Sequence, residues 1–189
     1  CEKNSSYSQN TYNFSDGFVR NFHHVNLNGE FSNASLKGCF FLKDKNICSN
    51  KTNIKHNAEN CLSDQTYKGI LNNYSKASYY SNTFVSENAQ KTEGYQLSKG
   101  ILLTDNCSFF SKPELRIFAD DVKCSHGSTI GPVDESALYY LRSRGISKNE
   151  AMKMIISSFI EEDLQNLDKN IAERVSENLS GYLTNLVND

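Results

Sequence analysis

The chain has 189 residues and a formal net charge of -2, and apolar residues make up 38% of it, so it suits one cored domain or one domain with a helical appendage. Lysine and arginine are interspersed with aspartate and glutamate rather than gathered in a patch, which predicts that nucleic acid is not a partner. No apolar run approaches the roughly 20 residues that span a bilayer, so no membrane partner is expected either.

A strand-like alternation of apolar and polar residues extends from about residue 19 to residue 126. We predict breaks between the strands at Asn28-Gly29, Asn72-Asn73, Gly94 and Ser111-Lys112-Pro113. Many short strands with polar corners suit a sandwich, a barrel or a β-helix, and periodicity alone does not choose among these. Asparagine is abundant, which suits turns, the left-handed conformation and ladders of side chains on successive strands.

The pattern becomes helical after Gly131-Pro132. Asp134 is placed to cap a first helix, and Gly145 is placed to end it. Ser147 and Glu150 have the spacing of a capping box for a second helix, and a last helix is predicted from about residue 167 to residue 186. The apolar stripes of these two helices consist of Met152, Ile155, Ile156, Phe159 and Ile160, and of Ile171, Val175, Leu179 and Leu183.

Six cysteines are dispersed along the chain, at Cys1, Cys39, Cys48, Cys61, Cys107 and Cys124. Their spacing does not suit a small disulfide-stapled scaffold, and no CxxC pair suggests zinc or redox chemistry. We therefore expect free thiols in a reducing compartment. The N-terminus has neither a start methionine nor the layout of a signal peptide, so we expect a fragment whose beginning lies upstream.

Residues 112–127, with the sequence KPELRIFADDVKCSHG, closely resemble the signature of the SufB/SufD family of the SUF iron–sulfur cluster assembly system. The resemblance continues through residues 128–131 and 138–146, and it covers nearly the whole chain beyond about Phe31. Upstream it includes residues 55–56, 61–65, 68–70 and 89–92. The sequence Cys124-Ser125-His126-Gly127 stands where the SufB branch has a His-Glu-Ala-type sequence, which places this chain with the SufD branch.

This resemblance implies a mainly β fold with some α structure, namely a right-handed parallel β-helix followed by a C-terminal helical subdomain. The later coils of the β-helix would occupy residues 1–130, without the N-terminal region of the family, and the helical subdomain would occupy residues 131–189. The resemblance also implies a non-catalytic scaffold that pairs with SufB through the β-helix and docks the SufC ATPase through the C-terminal helices. The chain has no GxxxxGK[ST] phosphate loop, so the ATPase activity is expected on SufC.

Cys124 and His126 are the candidate site residues. They lie two apart, so in an extended strand they project to one face, and a thiolate with an imidazole suits iron or a cluster fragment. The resemblance implies that His126 serves cluster assembly at the SufB interface, with Cys124 as a candidate helper. No cysteine cluster here could hold a four-thiolate centre alone, so we expect no stable cofactor, only iron or an iron–sulfur cluster shared transiently with SufB. The competing interpretation is a small buried thiol beside a hydrogen-bonded interface histidine.

The other histidines and Cys61 are weaker candidates. We expect His23 and His24 to be solvated, His56 to have a packing or inter-coil role, and Cys61 to be a small buried thiol.

Several charged residues also have two interpretations. Lys68 either lines the interior or an interface, or it lies on a solvated strand face. Asp120-Asp121 lacks a partner base or nucleophile, so we assign it to a turn rather than to acid–base catalysis. Arg142 and Arg144 flank an exposed helix end, where interaction with the helix dipole competes with a contact to SufC.

Two other functions stay open. One is a β-helix enzyme of the polysaccharide lyase or acyltransferase type, which would carry a carboxylate or histidine constellation on one β-face. The absent signal peptide and the free thiols argue against such a secreted enzyme. The other is a SufB paralogue. For a member of the SUF system, the bacterial cytoplasm and the stroma of a plastid or apicoplast are the expected compartments.

Overall fold

Over the residues that the structure describes, the chain is a parallel β-solenoid followed by three helices. A computed structural model describes residues 1–14, 16–165 and 167–188, without the side chains of residues 162 and 185–188. The strands alternate between a five-stranded sheet with the order β1-β3-β5-β7-β9 and a four-stranded sheet with the order β2-β4-β6-β8. Their bounds are β1 (Ser6–Asn13), β2 (Phe18–Leu27), β3 (Asn33–Leu42), β4 (Ile47–His56), β5 (Leu62–Leu71), β6 (Lys76–Val85), β7 (Thr92–Leu102), β8 (Ser108–Ile117) and β9 (Val122–Pro132). Every pairing is parallel, so the β-helix is confirmed over the sandwich and the barrel.

The corners between coils repeat one backbone geometry. Asn4, Phe31, Asn60 and Lys91 have φ values of 59°, 58°, 57° and 55°, and they occupy the same place on successive coils. Each donates its backbone N–H to a carbonyl oxygen of the following coil, at distances of 2.6 to 3.3 Å. Asparagine adopts this left-handed conformation with less strain than most residues, which accounts for part of its abundance.

Polar side chains form ladders between successive coils, as predicted. The side chain of Asn21 donates to that of Asn50 at 2.9 Å, and Asn57 donates to Asn28 at 2.7 Å. These bonds link the asparagine side chains of successive coils.

The interior of the solenoid contains an apolar cluster with stacked rings. Tyr67 and Tyr79 stack with their centroids 4.2 Å apart, and Phe40 meets Phe109 edge-on at 5.1 Å. A Cβ atom at Gly69 would overlap the Phe40 ring, so the absence of a side chain there makes room for this packing. The fully buried large side chains of this core are Leu27, Leu36, Phe40, Leu42, Ile54, Tyr67, Leu71 and Tyr79.

The helices are α1 (Glu135–Ser143), α2 (Lys148–Gln165) and α3 (Lys169–Asn188). Asp134 caps α1 by accepting from the backbone N–H of Ser136 at 2.8 Å, and Gly145, with φ of 85°, ends the turn that follows. Ser147 caps α2 through Glu150, whose N–H donates to its hydroxyl at 3.2 Å. The Glu150 carboxylate lies 3.6 Å from Lys153 rather than completing the predicted box. Among the described residues, none of the helices combines the length and the apolar character needed to cross a membrane.

Helices α2 and α3 pack on the outward face of the five-stranded sheet. The hydroxyl of Tyr182 donates to the carbonyl oxygen of Leu42 at 3.0 Å, which ties α3 to β3. Ile171, placed in the predicted stripe of α3, is instead 50% exposed. The buried apolar cluster shared by sheet and helices consists of Cys39, Phe41, Ile70, Ile101, Val133, Ile156, Ile160, Leu179, Tyr182 and Leu183.

Two of the predicted strand breaks are wrong. Gly94 lies inside β7, where it is buried under the following coil. Pro113 lies inside β8, at the edge of its sheet, where a residue without an N–H is tolerated. Strand β1 lies before the predicted strand region. It is not indicated by the sequence, because SYSQNTYN lacks regular apolar alternation. Strand β9 ends at Pro132, close to the predicted start of the helical part, and the division into two domains stays a prediction.

Candidate functional site

Cys124 and His126 lie on β9, which is the last strand of the five-stranded sheet. The register pairs Cys124 with Gly94 and His126 with Gln96, and both partners are buried residues of β7 that face the solenoid interior. Successive residues of a strand point to opposite faces, so Cys124 and His126 share the inward-facing side of β9. The predicted shared face is therefore present.

This inward-facing side is open at the end of the solenoid. Among the described residues, no further strand pairs with β9 or with β8, the last strand of the other sheet. Cys124 is consequently only half-buried and His126 is exposed. Their register partners one coil earlier, Gly94 and Gln96, are both buried. The side chains of Cys124 and His126 can thus be reached by a partner molecule.

The thiol of Cys124 rests against the backbone of the preceding coil. A Cβ atom at Gly94 would lie 3.2 Å from Cys124 Sγ and 3.6 Å from the hydroxyl of Ser63, so the missing side chain leaves room for the sulfur. Burial raises the pKa of the Cys124 thiol, and a backbone hydrogen bond with Gly94 offsets part of that rise. The group is therefore a protonated thiol near neutral pH, and it must lose its proton to bind a metal.

A buried histidine, His56, contacts Ser63, which lies next to the Gly94 position described above. His56 Nε2 is 2.8 Å from the hydroxyl of Ser63, while His56 Nδ1 has no partner among the described residues. Burial lowers the pKa of His56 to about 4, so its ring is neutral at neutral pH. This position agrees with the packing role predicted for His56. His23, predicted to be solvated, is instead half-buried with a shielded Nε2, because it faces the interior of the first coil.

A row of buried polar side chains leads to the candidate site. Thr52 donates to the side-chain oxygen of Gln65 at 2.6 Å. The side-chain nitrogens of Gln65 and Gln96 both donate to the hydroxyl of Thr83, each at 2.7 Å. No local pattern in the sequence indicates this row, because its members are brought together only by the folding and stacking of the coils.

The acidic pair before β9 belongs to a turn, as predicted. The backbone N–H of Asp121 donates to the side chain of Gln90 at 2.9 Å, and its carbonyl oxygen accepts from Lys91 at 2.6 Å. These bonds fix the corner from which β9 starts, two residues before the position of Cys124.

The candidate metal ligands are few. Within the part of the chain that the structure describes, no group of three or more histidine, cysteine, aspartate or glutamate side chains is arranged to hold a metal ion. Cys124 and His126 supply one soft sulfur and one imidazole nitrogen, a donor set that suits iron. Filling a tetrahedral coordination shell would require two further ligands from elsewhere.

Arg142 and Arg144 lie at the end of α1, on a separate surface. Arg144 stacks over the Tyr140 ring at 5.2 Å and donates to its hydroxyl at 3.2 Å, while Arg142 is exposed in the last turn. Tyr139 is 76% exposed. Among the described residues, no hydrogen bond or ion pair joins either arginine to Cys124 or His126.

Comparison with known families gives one match over most of the chain. A family model described as "SUF system FeS cluster assembly, SufBD core domain" matches residues 1–159. This region contains the whole solenoid, α1 and part of α2.

Curated proteins of the same system are similar in sequence. The chain is 34% identical over 160 residues to the iron–sulfur cluster assembly protein SufD of Escherichia coli, a match that covers 82% of this chain and 38% of that protein. It is 36% identical over 123 residues to the protein ABCI7, chloroplastic, of Arabidopsis thaliana, covering 64% of this chain and 26% of that protein. It is 30% identical over 140 residues to the SufD protein of Plasmodium falciparum, covering 73% and 10%. The matched regions thus span less than half of these relatives.

Proposed function

We infer that this protein works in iron–sulfur cluster assembly, because the chain belongs to the SufBD family of the SUF system. We propose that it is a non-catalytic scaffold of the SufD type, which pairs with SufB, docks the SufC ATPase and contributes Cys124 and His126 to a transient site. The observation that carries this proposal is the open, inward-facing side of β9, where both residues are accessible at the end of the solenoid.

The end of the solenoid supports pairing through the β-helix. Strands β8 and β9 present unpaired backbone groups, which are a template for strands of another chain. Ile117 is 38% exposed there, although it continues a column whose previous member, Val85, is fully buried. A SufB β-helix placed against this end would cover both the edge and the apolar side chains.

The donor set supports a shared site rather than a stable cofactor. Cys124 and His126 provide two ligands for iron or for a cluster fragment, which is the cargo of the scaffold, and SufB would provide the others. Binding requires the Cys124 thiol to lose its proton, which its burial disfavours, and two ligands from one chain make a weak site. A weak site suits a carrier that must release what is built on it.

The first helix supports a separate docking surface for SufC. Helix α1 has no buried residue: Tyr139 and Arg142 are exposed on it, and Arg144 stacks over Tyr140 at its end. Aromatic and arginine side chains are enriched in protein–protein contacts. ATP hydrolysis would occur on SufC. Relatives from a bacterium, a chloroplast and Plasmodium support a bacterial cytoplasm or a plastid as the compartment.

Co-purification with SufB and SufC from the same organism tests this function. The wild-type chain, His126→Ala and the control His24→Ala, an exposed histidine of β2, are each expressed with both partners. We expect all three to be captured, and we expect only His126→Ala to lose iron and sulfide incorporation. Failure of the wild-type chain to capture SufB would overturn the pairing, and normal assembly by His126→Ala would overturn the ligand role.

A further inference from the structure

Gln96 is a buried amide whose orientation is fixed by its neighbours. Its side chain is on β7 and the residue is 2% exposed. Its nitrogen donates to the Thr83 hydroxyl at 2.7 Å and to the carbonyl oxygen of Glu114 at 3.2 Å. A backbone carbonyl only accepts, so the atom facing Glu114 is the nitrogen. The side-chain oxygen of Gln96 is left buried without a partner among the described residues.

The unpartnered oxygen belongs to the column of inward-facing positions that ends at His126. Gln65, Gln96 and His126 are direct register partners on β5, β7 and β9. Neighbouring strands are about 4.8 Å apart, so the next side chain along this column is the exposed imidazole of His126. A buried acceptor without a donor is destabilising, which favours any arrangement that brings an N–H to it.

A metal-bound imidazole needs an acceptor of this kind. It binds through one ring nitrogen and donates the N–H of the other to a carbonyl or carboxylate, which sets the tautomer and the ring orientation. We propose that Gln96 is a positioning residue for His126: its side-chain oxygen accepts the imidazole N–H when a partner covers the open coil, and the other ring nitrogen then faces the metal. This inference rests on the proposed function of His126.

The test compares two glutamines that differ in their distance from His126. Gln96→Met removes the acceptor, and Gln65→Met is the matched control, because Gln65 is equally buried and donates to the same Thr83 hydroxyl. Both variants are prepared in the complex with SufB and SufC, and Co²⁺ is titrated as a spectroscopic probe for iron. We expect Gln96→Met to weaken Co²⁺ binding about 10–100-fold and Gln65→Met to leave it unchanged, with similar losses of thermal stability.

Each outcome has a separate meaning. Equal Co²⁺ affinity of the two variants would overturn the role of Gln96. His126→Ala is titrated in parallel: if it binds Co²⁺ like the wild type, the proposed ligand role fails first and this inference falls with it. If Gln96→Met does not fold, ¹⁵N shifts of the histidine rings in the wild-type complex with Zn²⁺ decide the question. A single hydrogen-bonded tautomer of His126 supports the proposal, and a ring N–H exposed to solvent contradicts it.

Discussion

Lys68 on β5 and Asp163 on α2 form an ion pair of 2.8 Å between the sheet and the helix that covers it. Their side chains are only 5% and 13% exposed. Lys68 also donates to the carbonyl oxygen of Phe159 at 2.9 Å and lies 5.4 Å from the centre of the Phe159 ring. Of the two interpretations of Lys68, the buried one is therefore correct.

Removing one member of this pair should destabilise the protein strongly. Asp163→Asn leaves the Lys68 ammonium buried without its counter-charge, so we expect the free energy of unfolding to fall by about 3–5 kcal/mol. The double variant Lys68→Met with Asp163→Leu removes both charges and should recover most of that loss. Urea unfolding followed by circular dichroism measures both values. A double variant no more stable than Asp163→Asn would contradict this explanation.

The free energy of unfolding should decrease as the pH falls through the range in which histidine side chains take up a proton. The ring of His56 stays neutral in the folded protein down to about pH 4, whereas in the unfolded chain it takes up a proton near pH 6.5. The unfolded state therefore binds more protons between these values. The free energy of unfolding decreases as the pH falls from 6.5 to 4, by about 3 kcal/mol in full. Burial also lowers the pKa of His23, which adds to the loss in the same direction.

Urea midpoints at pH 7 and pH 4.5 measure this dependence. His56→Gln, which retains polar atoms near Ser63, should reduce the difference between the two midpoints. His24→Gln is the control, because its ring is exposed, and it should leave the difference unchanged. Equal pH dependence of the wild type and His56→Gln would show that other groups determine it.

Adding a methyl group under the candidate thiol should push it outward. Gly94→Ala places a Cβ atom 3.2 Å from Cys124 Sγ, closer than nine in ten real Cβ contacts, so the sulfur must move. We expect alkylation of Cys124 by iodoacetamide at pH 7.5 to become several-fold faster, measured by mass spectrometry of the peptide that contains it. Gly131 lies on β9 with Cys124, and a Cβ atom there would meet nothing within 4 Å, so Gly131→Ala should leave the alkylation rate unchanged. An unchanged or slower rate for Gly94→Ala would contradict this geometry.

A charge at the open end should weaken capture of the β-helix partner. Ile117→Glu places a carboxylate where the proposed SufB interface buries an apolar column, and we expect recovery of SufB to fall at least tenfold. Ile47→Glu is a matched control, since Ile47 is 40% exposed against 38% for Ile117 but begins β4, an inner strand of the sheet. Pull-down of SufB against both variants checks this. Equal recovery by both would place the interface elsewhere.

Features that depend on local sequence were predictable from the sequence. Asp134, Ser147 and Gly145 act at helix ends through atoms within three residues, so their spacing alone identified them. Asparagine ladders and left-handed corners also follow from residue type. The shared face of Cys124 and His126 needed only the alternation of a strand.

Features that depend on the stacking of coils were not predictable. The burial of Lys68 and the unpartnered oxygen of Gln96 arise from neighbours on other strands or helices, between 13 positions away (Thr83 from Gln96) and 95 positions away (Asp163 from Lys68). The sequence likewise predicts scattered cations, yet the outward face of the four-stranded sheet gathers several of them beside exposed or partly buried rings. They include Arg20 over Phe18, Lys51 over Phe22 and Lys55 over Phe84. The expectation that nucleic acid is not a partner stays a prediction, but its premise of scattered cations does not hold for this face.

The in-register pairing of β9 with β7 over eleven positions also has a mechanical consequence. A pulling force on a solenoid meets its coils in sequence, because each described strand pairs with its counterparts one coil earlier and one coil later. The release of one coil of about 30 residues would lengthen the chain by roughly 100 Å. Helices α2 and α3 lie across β3, β5 and β7 through Cys39, Ile70 and Ile101, so they act as a brace over three coils. The last coil, with Cys124 and His126, joins this brace at its end through Val133, so we expect the rest of that coil to give way first under load.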